Sequence, residues 1–257
     1  MLDLKILLRR YFLAYPISYK IVFSDFDGTL TEEHEQLTPV FFNIQKHLLD
    51  RGKKFVIASG RSLSWGHFLM THTRVEAAIM EGGGVIIYRD KSGHLQQEIL
   101  VTKDELETLE KTTAEILKKF THLKLSVDSQ GRKTDRAIEL YDFQSPDEKK
   151  LIEADLRSAG LLFASSNVHL NFWAGQVTKF RAIKHYVEKY TKVNLSECLF
   201  FGDAPNDQSV FEHLEHTVGV SNIDRFLSQI KFHPKTILQG EDKRGPKGVY
   251  HYLKSLG

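Results

Sequence analysis

Two aspartates, Asp25 and Asp27, stand two residues apart in the segment Phe23-Ser24-Asp25-Phe26-Asp27-Gly28-Thr29, directly after the apolar run Ile21-Val22-Phe23-Ser24. A carboxylate delivered by the end of a buried strand can attack phosphorus to form an aspartyl-phosphate. A second one can protonate the leaving oxygen and afterwards activate water. On an extended chain the two side chains would share one face, so a bend is needed to give them distinct roles around a ligand, and Gly28 supplies that freedom. Taken alone, the same segment also fits a solvated loop of turn-forming residues.

A second acidic segment, Phe201-Gly202-Asp203-Ala204-Pro205-Asn206-Asp207, again follows an apolar run. By itself it reads as an Asx-type turn capping a helix that starts near Asp207. Convergence favours chemistry, because two such loops at the ends of two strands of one sheet pool four aspartates, and that repulsion is tolerable chiefly around a cation. An oxygen-only cluster suits Mg²⁺, and no His/Cys spacing for zinc occurs near either loop. A phosphoryl cargo also needs donors for its equatorial oxygens. Ser59 and the amide of Gly60 offer a hydroxyl and an N–H at a helix start, and Lys179 offers a fixed positive charge.

These residues must be positioned by alternating strands and helices. Runs at 21–24, 54–58 and 77–80 read as buried strands, with a helix over 39–51 that has Thr38 as N-cap, Pro39 at its first position and Gly52 at its end. Strands apolar on both faces imply βαβ units and a parallel sheet, whose ligands bind at the carboxyl ends of the strands. From 88 to 172 the pattern changes to two αββ units: helices near 102–120 and 146–159, and strands near 122–128, 136–142 and 161–173. The βα alternation resumes with a helix over 177–190, a strand over 198–202, a helix over 207–214, strands over 216–220 and 235–238, and a helix over 246–256. The expected fold is therefore α/β, a Rossmann-like parallel-sheet core over 1–87 and 173–257 with an inserted α/β lobe over 88–172.

The bulk properties exclude several classes. Hydrophobic residues make up 41% and charged residues 26% of 257, the profile of a globular chain. The 35 basic and 33 acidic residues are spread along the length without a Lys/Arg block, so nothing suggests a nucleic-acid partner. The single cysteine, Cys198, lies in an apolar run and reads as a small buried hydrophobe. The first twenty residues lack the apolar stretch of a signal peptide, and no run reaches the roughly 18 apolar residues that span a bilayer. A cytoplasmic protein without a membrane partner is expected. Residues 6–12, interrupted by Arg9 and Arg10, fit either a helix packed on the domain or one lying on a membrane.

The four segments together resemble the haloacid dehalogenase superfamily of phosphatases, over the core and thus about two thirds of the chain. Asp25 to Thr29 matches its Asp-x-Asp-Gly-Thr motif, and Ser59 its strand ending in Ser or Thr. Lys179 is in the place of its lysine, and Gly202 to Asp207 matches Gly-Asp-x-x-Asn-Asp. The resemblance implies Asp25 as nucleophile and Asp27 as acid/base. It implies Mg²⁺ held by the Asp25 carboxylate, the Asp27 carbonyl and Asp203 with Asp207 close behind, and phosphoryl binding by Thr29, Ser59, Gly60, Lys179 and Asn206. The insertion is similar to the cap of the Cof-type (IIB-like) subgroup, which includes sugar-phosphate phosphatases, and Ser59-Gly60-Arg61 fits that subgroup. Where relatives often have Glu-Asn-Gly after the third strand, this chain has Glu81-Gly82-Gly83.

In such enzymes the cap closes over the leaving group and sets specificity. Arg61, Arg132, Lys133 and Arg136 are candidates for a second anionic group, and Asn167, His169 and Asn171 alternate on one strand face. His34 lies near enough to the first motif to reach the site mouth, and Trp65 is suited to stack on a sugar ring. The expectation is a Mg²⁺-dependent phosphomonoesterase, monomer or homodimer, acting on a small phosphorylated metabolite, with sugar phosphates leading. The alternatives are a phosphotransferase or mutase on the same core, or a catalytically silent binding module.

Overall fold

The computed structural model describes residues 19–32, 37–165 and 169–256. The segment 6–12, His34 and Asn167 lie outside the described residues.

The site rests on an eight-stranded sheet. Its strands in chain order are β1 (Ile21–Ser24), β2 (Lys54–Ala58), β3 (Ala77–Met80), β4 (Val85–Arg89), β5 (Leu95–Ile99), β9 (Cys198–Gly202), β10 (His216–Gly219) and β11 (Thr236–Ile237). In space they run β11-β10-β9-β1-β2-β3-β4-β5. The pairings from β11 to β3 are parallel, and β4 and β5 are added antiparallel. Side chains alternate between faces along each strand. Val22 of β1 joins an apolar core with α1 (Pro39–Asp50), α2 (Leu63–His72) and α7 (Gly245–Ser255). Ile21 and Phe23 join the opposite core under α5 (Lys179–Tyr190) and α6 (Gln208–His213). Burial on both faces is why these strands are continuous apolar runs.

β1 is flanked by β2 on one side and β9 on the other, with Ile21 in register with both Lys54 and Cys198. The chain leaves β1 in one direction and returns on the other side, which opens a crevice at the carboxyl ends of β1 and β9. Asp25 and Asp203 follow those two ends.

The inserted lobe has its own core, built from α3 (Lys103–Lys119), α4 (Pro146–Ser158) and a three-stranded antiparallel sheet of β6 (Asp135–Glu139), β8 (His169–Trp173) and β7 (Leu162–Ser165). Both helices start on side-chain caps. Thr102 Oγ1 accepts from the Glu105 amide at 3.3 Å and Ser145 Oγ from the Glu148 amide at 3.2 Å.

Three expectations are corrected. Residues 88–99, read as the start of the lobe, instead extend the core sheet through the β4–β5 hairpin, because the apolar run 85–87 continues straight from the β3 turn. The strand expected near 122–128 shrinks to one bridge, Leu125 to Ile138, since the backbone coils into a 3₁₀ turn at Val127–Gly131. Thr38 occupies the N-cap position of α1, but its side chain makes no cap bond.

Candidate active site

Asp25 lies one residue beyond β1, and its amide donates to the Phe201 carbonyl at 2.8 Å, so the acidic loop begins locked to β9. Its carboxylate, with those of Asp203 and Asp207, forms a buried trio whose nearest oxygens all lie within 4.8 Å of one another. Lys179, first residue of α5 and 2% exposed, donates to Asp25 Oδ1 and Asp207 Oδ1, each at 2.7 Å. The Thr178 hydroxyl caps that helix by accepting from the Arg181 amide at 3.2 Å, which fixes where α5 begins and where Lys179 points.

The remaining oxygens of Asp207 and Asp203 are committed too. Asp207 Oδ2 accepts from the amides of Asp203 (3.0 Å) and Ala204 (3.2 Å). Asp203 accepts from the Thr29 hydroxyl and from the Asn222 amide group, both at 2.7 Å. Asn222 also donates to the Gly28 carbonyl at 3.0 Å and accepts from the Gly245 amide at 3.0 Å, tying three loops together. Sequence reasoning missed Asn222. The available signal was its place, a polar residue just past the buried strand β10. Gly28 has φ of 76°, and a methyl group there would come within 2.5 Å of Asp203 Oδ2, so both conformation and space require glycine.

Three buried carboxylates face one ammonium, so ionising all three would leave two negative charges uncompensated. Burial raises the Asp25 carboxyl well above its ordinary range, opposed by Lys179 and reinforced by Asp207 and Asp203. Burial, then Asp207, raises Asp203 to about 7. Burial alone would lower the Lys179 ammonium, but Asp207 and Asp25 outweigh it and the net shift is upward. A set of oxygen donors with this charge deficit fits a divalent cation.

Asp27 points elsewhere. It is held by Arg61, whose Nε and Nη2 lie 2.8 to 3.1 Å from its carboxylate oxygens. The Arg61 guanidinium also lies over the Trp65 ring, 5.0 Å from its centroid. Ser59 is buried at the end of β2 and accepts from the Arg61 amide at 3.1 Å. Beside this loop a cleft of about 470 Å³ is lined by Ser62, Ser64, Trp65 and Phe68 of the core and Val127 and Asp128 of the lobe.

The structure therefore brings together Asp25, Thr29, Lys179, Asp203 and Asp207, with Asp27, Arg61, Ser59 and Gly60 on adjoining loops. The remaining candidates stand differently. Asn206 is exposed on the turn Pro205–Asp207, and the Thr29 hydroxyl is committed to Asp203. Arg132 is enclosed by Asp128 and Asp135, each at 2.6 Å, and donates to the Gly60 carbonyl at 3.1 Å. It therefore fastens lobe to core instead of presenting a free guanidinium. Arg136 donates to the carbonyls of Asp135 and Lys133, and His169 pairs with Glu139 at 3.0 Å. Cys198 is buried, and burial pushes its thiol up to about 12. Among the described residues no helix is long and apolar enough to cross a membrane.

Comparison with known proteins follows the same lines. The family of haloacid dehalogenase-like hydrolases matches residues 22–125 and, in an overlapping match, 96–231. A Streptococcus pyogenes protein named "Putative phosphatase" is 24% identical, covering 80% of this chain and 88% of its own. A Buchnera aphidicola protein of the same name is 23% identical, covering 82% and 87%. Among solved structures, a Thermoplasma acidophilum protein superimposes with a TM-score of 0.70 at 16% identity, covering 93% of this chain and 98% of that one. A phosphatase of the haloalkanoate superfamily from Bacteroides thetaiotaomicron superimposes with a TM-score of 0.68 at 16% identity, covering 95% and 97%. These structures share the fold.

Proposed function

The chain belongs to the haloacid dehalogenase-like hydrolases, and from that premise we propose that it is a Mg²⁺-dependent phosphomonoesterase working through an aspartyl-phosphate on Asp25. Its substrate is a small phosphorylated metabolite, with sugar phosphates the leading class, and it acts in the cytoplasm as a monomer or homodimer. The observation that carries this reading is the buried trio of Asp25, Asp203 and Asp207 facing the single ammonium of Lys179 at the β1/β9 crevice.

Lys179 holds one oxygen of Asp25 at 2.7 Å and so orients the carboxylate. An Asp25 oxygen bonds to phosphorus as the ester P–O bond breaks, and the leaving oxygen takes a proton from Asp27. Asp27 then removes a proton from water as that water attacks phosphorus, and Asp25 departs as a carboxylate. For both transfers Asp27 must turn from Arg61 towards the phosphoryl group. Ser59, the Gly60 amide and Lys179 supply donors for the equatorial oxygens. Asp25, the Asp27 carbonyl and Asp203, with Asp207 behind, would hold a Mg²⁺ ion, which would supply positive charge against the charge that builds on the phosphoryl group.

The cleft beside Arg61 supports a sugar-like leaving group. Trp65 and Phe68 offer apolar faces, and Ser62, Ser64 and Asp128 offer polar atoms in the same cleft. Screening phosphorylated metabolites for phosphate release with Mg²⁺ tests the proposal. The expected result is release from one class that stops in Asp25→Asn. Release that requires an added acceptor alcohol would point to a phosphotransferase instead, and release undiminished in Asp25→Asn would refute the mechanism.

A further inference from the structure

The turn after β3, Glu81-Gly82-Gly83-Gly84, plays no part in the chemistry above, yet it touches the loop that carries Ser59 and the start of the helix that carries Lys179. Glu81 is the one non-glycine residue with a positive φ among those described, at 55°. Glycine adopts that conformation more readily, so a glutamate kept there has a side chain whose contacts outweigh the strain. Glu81 is 4% exposed. It accepts from the Leu63 amide of the core at 2.9 Å, and from the Lys133 amide (3.0 Å), the Thr134 amide (2.6 Å) and the Thr134 hydroxyl (2.7 Å) of the lobe.

The backbone of the same turn holds the loop that carries Ser59. The Glu81 amide donates to the Arg61 carbonyl at 2.9 Å and the Gly82 amide to the Ser59 carbonyl at 3.0 Å. On the other side Gly83, at φ 114°, packs so closely that a methyl group would lie 2.4 Å from the carbonyl oxygen of Thr178, the cap of the helix that begins with Lys179.

We propose that Glu81 is a positioning residue that couples docking of the inserted lobe to assembly of the phosphoryl site. This inference rests on the reading of Ser59 and Lys179 as phosphoryl-binding groups. A lobe that lifts away strips Glu81 of three of its four donors, so the contacts that outweigh its positive-φ strain are lost and the turn, with the Ser59 loop bonded to its backbone, shifts. Because coupling is reciprocal, an anion seated at the phosphoryl site must in turn hold the lobe down.

Hydrogen exchange of the full chain with Mg²⁺, with and without orthovanadate as phosphoryl mimic, tests this. In the wild type, saturating orthovanadate slows exchange of the Lys133 and Thr134 amides by about tenfold. In Glu81→Gly, whose backbone suits the turn, these amides exchange fast with or without orthovanadate. Its inhibition constant weakens by a similar factor, while the melting temperature falls only modestly because relief of the backbone strain offsets part of the lost contacts. If Glu81→Gly does not fold, Glu81→Gln carries the same test, because one amide oxygen cannot serve four donors. Equal protection by orthovanadate in wild type and variant overturns the inference, as does inhibition of the wild type with no slowing at 133 and 134. Absence of any orthovanadate inhibition overturns the phosphatase reading and this inference with it.

Discussion

The acidic trio at the ends of β1 and β9 and the junction between lobe and core are both buried and both rich in charge, but they balance it in opposite ways. At the junction Arg132 is matched by Asp128 and Asp135, and Glu81 by three amides and a hydroxyl. At the trio three carboxylates share one Lys179. A fold selected for stability alone gains nothing from that deficit, since apolar residues of similar volume serve at least as well. The difference lies in what meets the excess charge: at the junction Asp128 is partly exposed to water and Glu81 is met by neutral donors, whereas the trio buries its whole deficit around a place a cation can fill. Asp135 is an intermediate case: its Oδ1 has no partner among the described residues, and burial, with Glu81 nearby, raises its carboxyl to about 7 against the pull of Arg132.

Four perturbations separate the two regions, the largest first. Asp25→Asn lowers kcat about 10³-fold or more, while the melting temperature of the metal-free protein stays level or rises because one repulsive charge is gone. A large loss of stability would place Asp25 with the architecture. Lys179→Met, melted in chelator, loses about 3–5 kcal/mol because the trio is left with no counter-charge, or roughly 10 °C for a chain of this size. A change of only a degree or two would show that the trio is not electrostatically strained.

Arg132→Met loses about 3 kcal/mol in urea unfolding at pH 8, as expected when one partner of a buried pair is removed. The loss is smaller at pH 6, where Asp135 escapes part of the penalty by taking up a proton. A loss independent of pH would disconnect Asp135 from Arg132. The smallest effect concerns wild-type stability. The folded pKa of Asp203 is raised above its unfolded value, so its contribution is present at low pH and is lost as pH rises from about 4 through about 7. Metal-free protein is therefore expected to melt lower at pH 8 than at pH 6, and Mg²⁺ to restore about 1–3 kcal/mol, more at the higher pH. Equal shifts by Mg²⁺ at both values would argue against Asp203 in the cation site.

Much of the trio could be read directly from the chain, because the chemistry demands residue types in short segments. Apolar runs ending in Asp25 and Asp203 read as buried strands delivering carboxylates, and the sheet set them side by side. The junction could not be read in the same way. Arg132 has acids four residues before and three after, yet only the 3₁₀ turn at Val127–Gly131 folds both around it. Glu81 looked like part of a glycine turn, since the partners of its side chain lie 18 and 53 residues away. Residues 88–99 read as the start of the lobe, whereas the half-exposed, polar β5 among them is the edge strand of the core sheet.

The central claim, that Asp25 carries the phosphoryl group, is tested most directly by mixing enzyme, Mg²⁺ and a hydrolysed monoester, quenching in acid within a single turnover and mapping phosphate on the peptides. The account predicts a transient phosphate on Asp25 that is absent in Asp25→Asn. Full turnover with no adduct on Asp25 at any quench time, or an adduct on another residue, would contradict it.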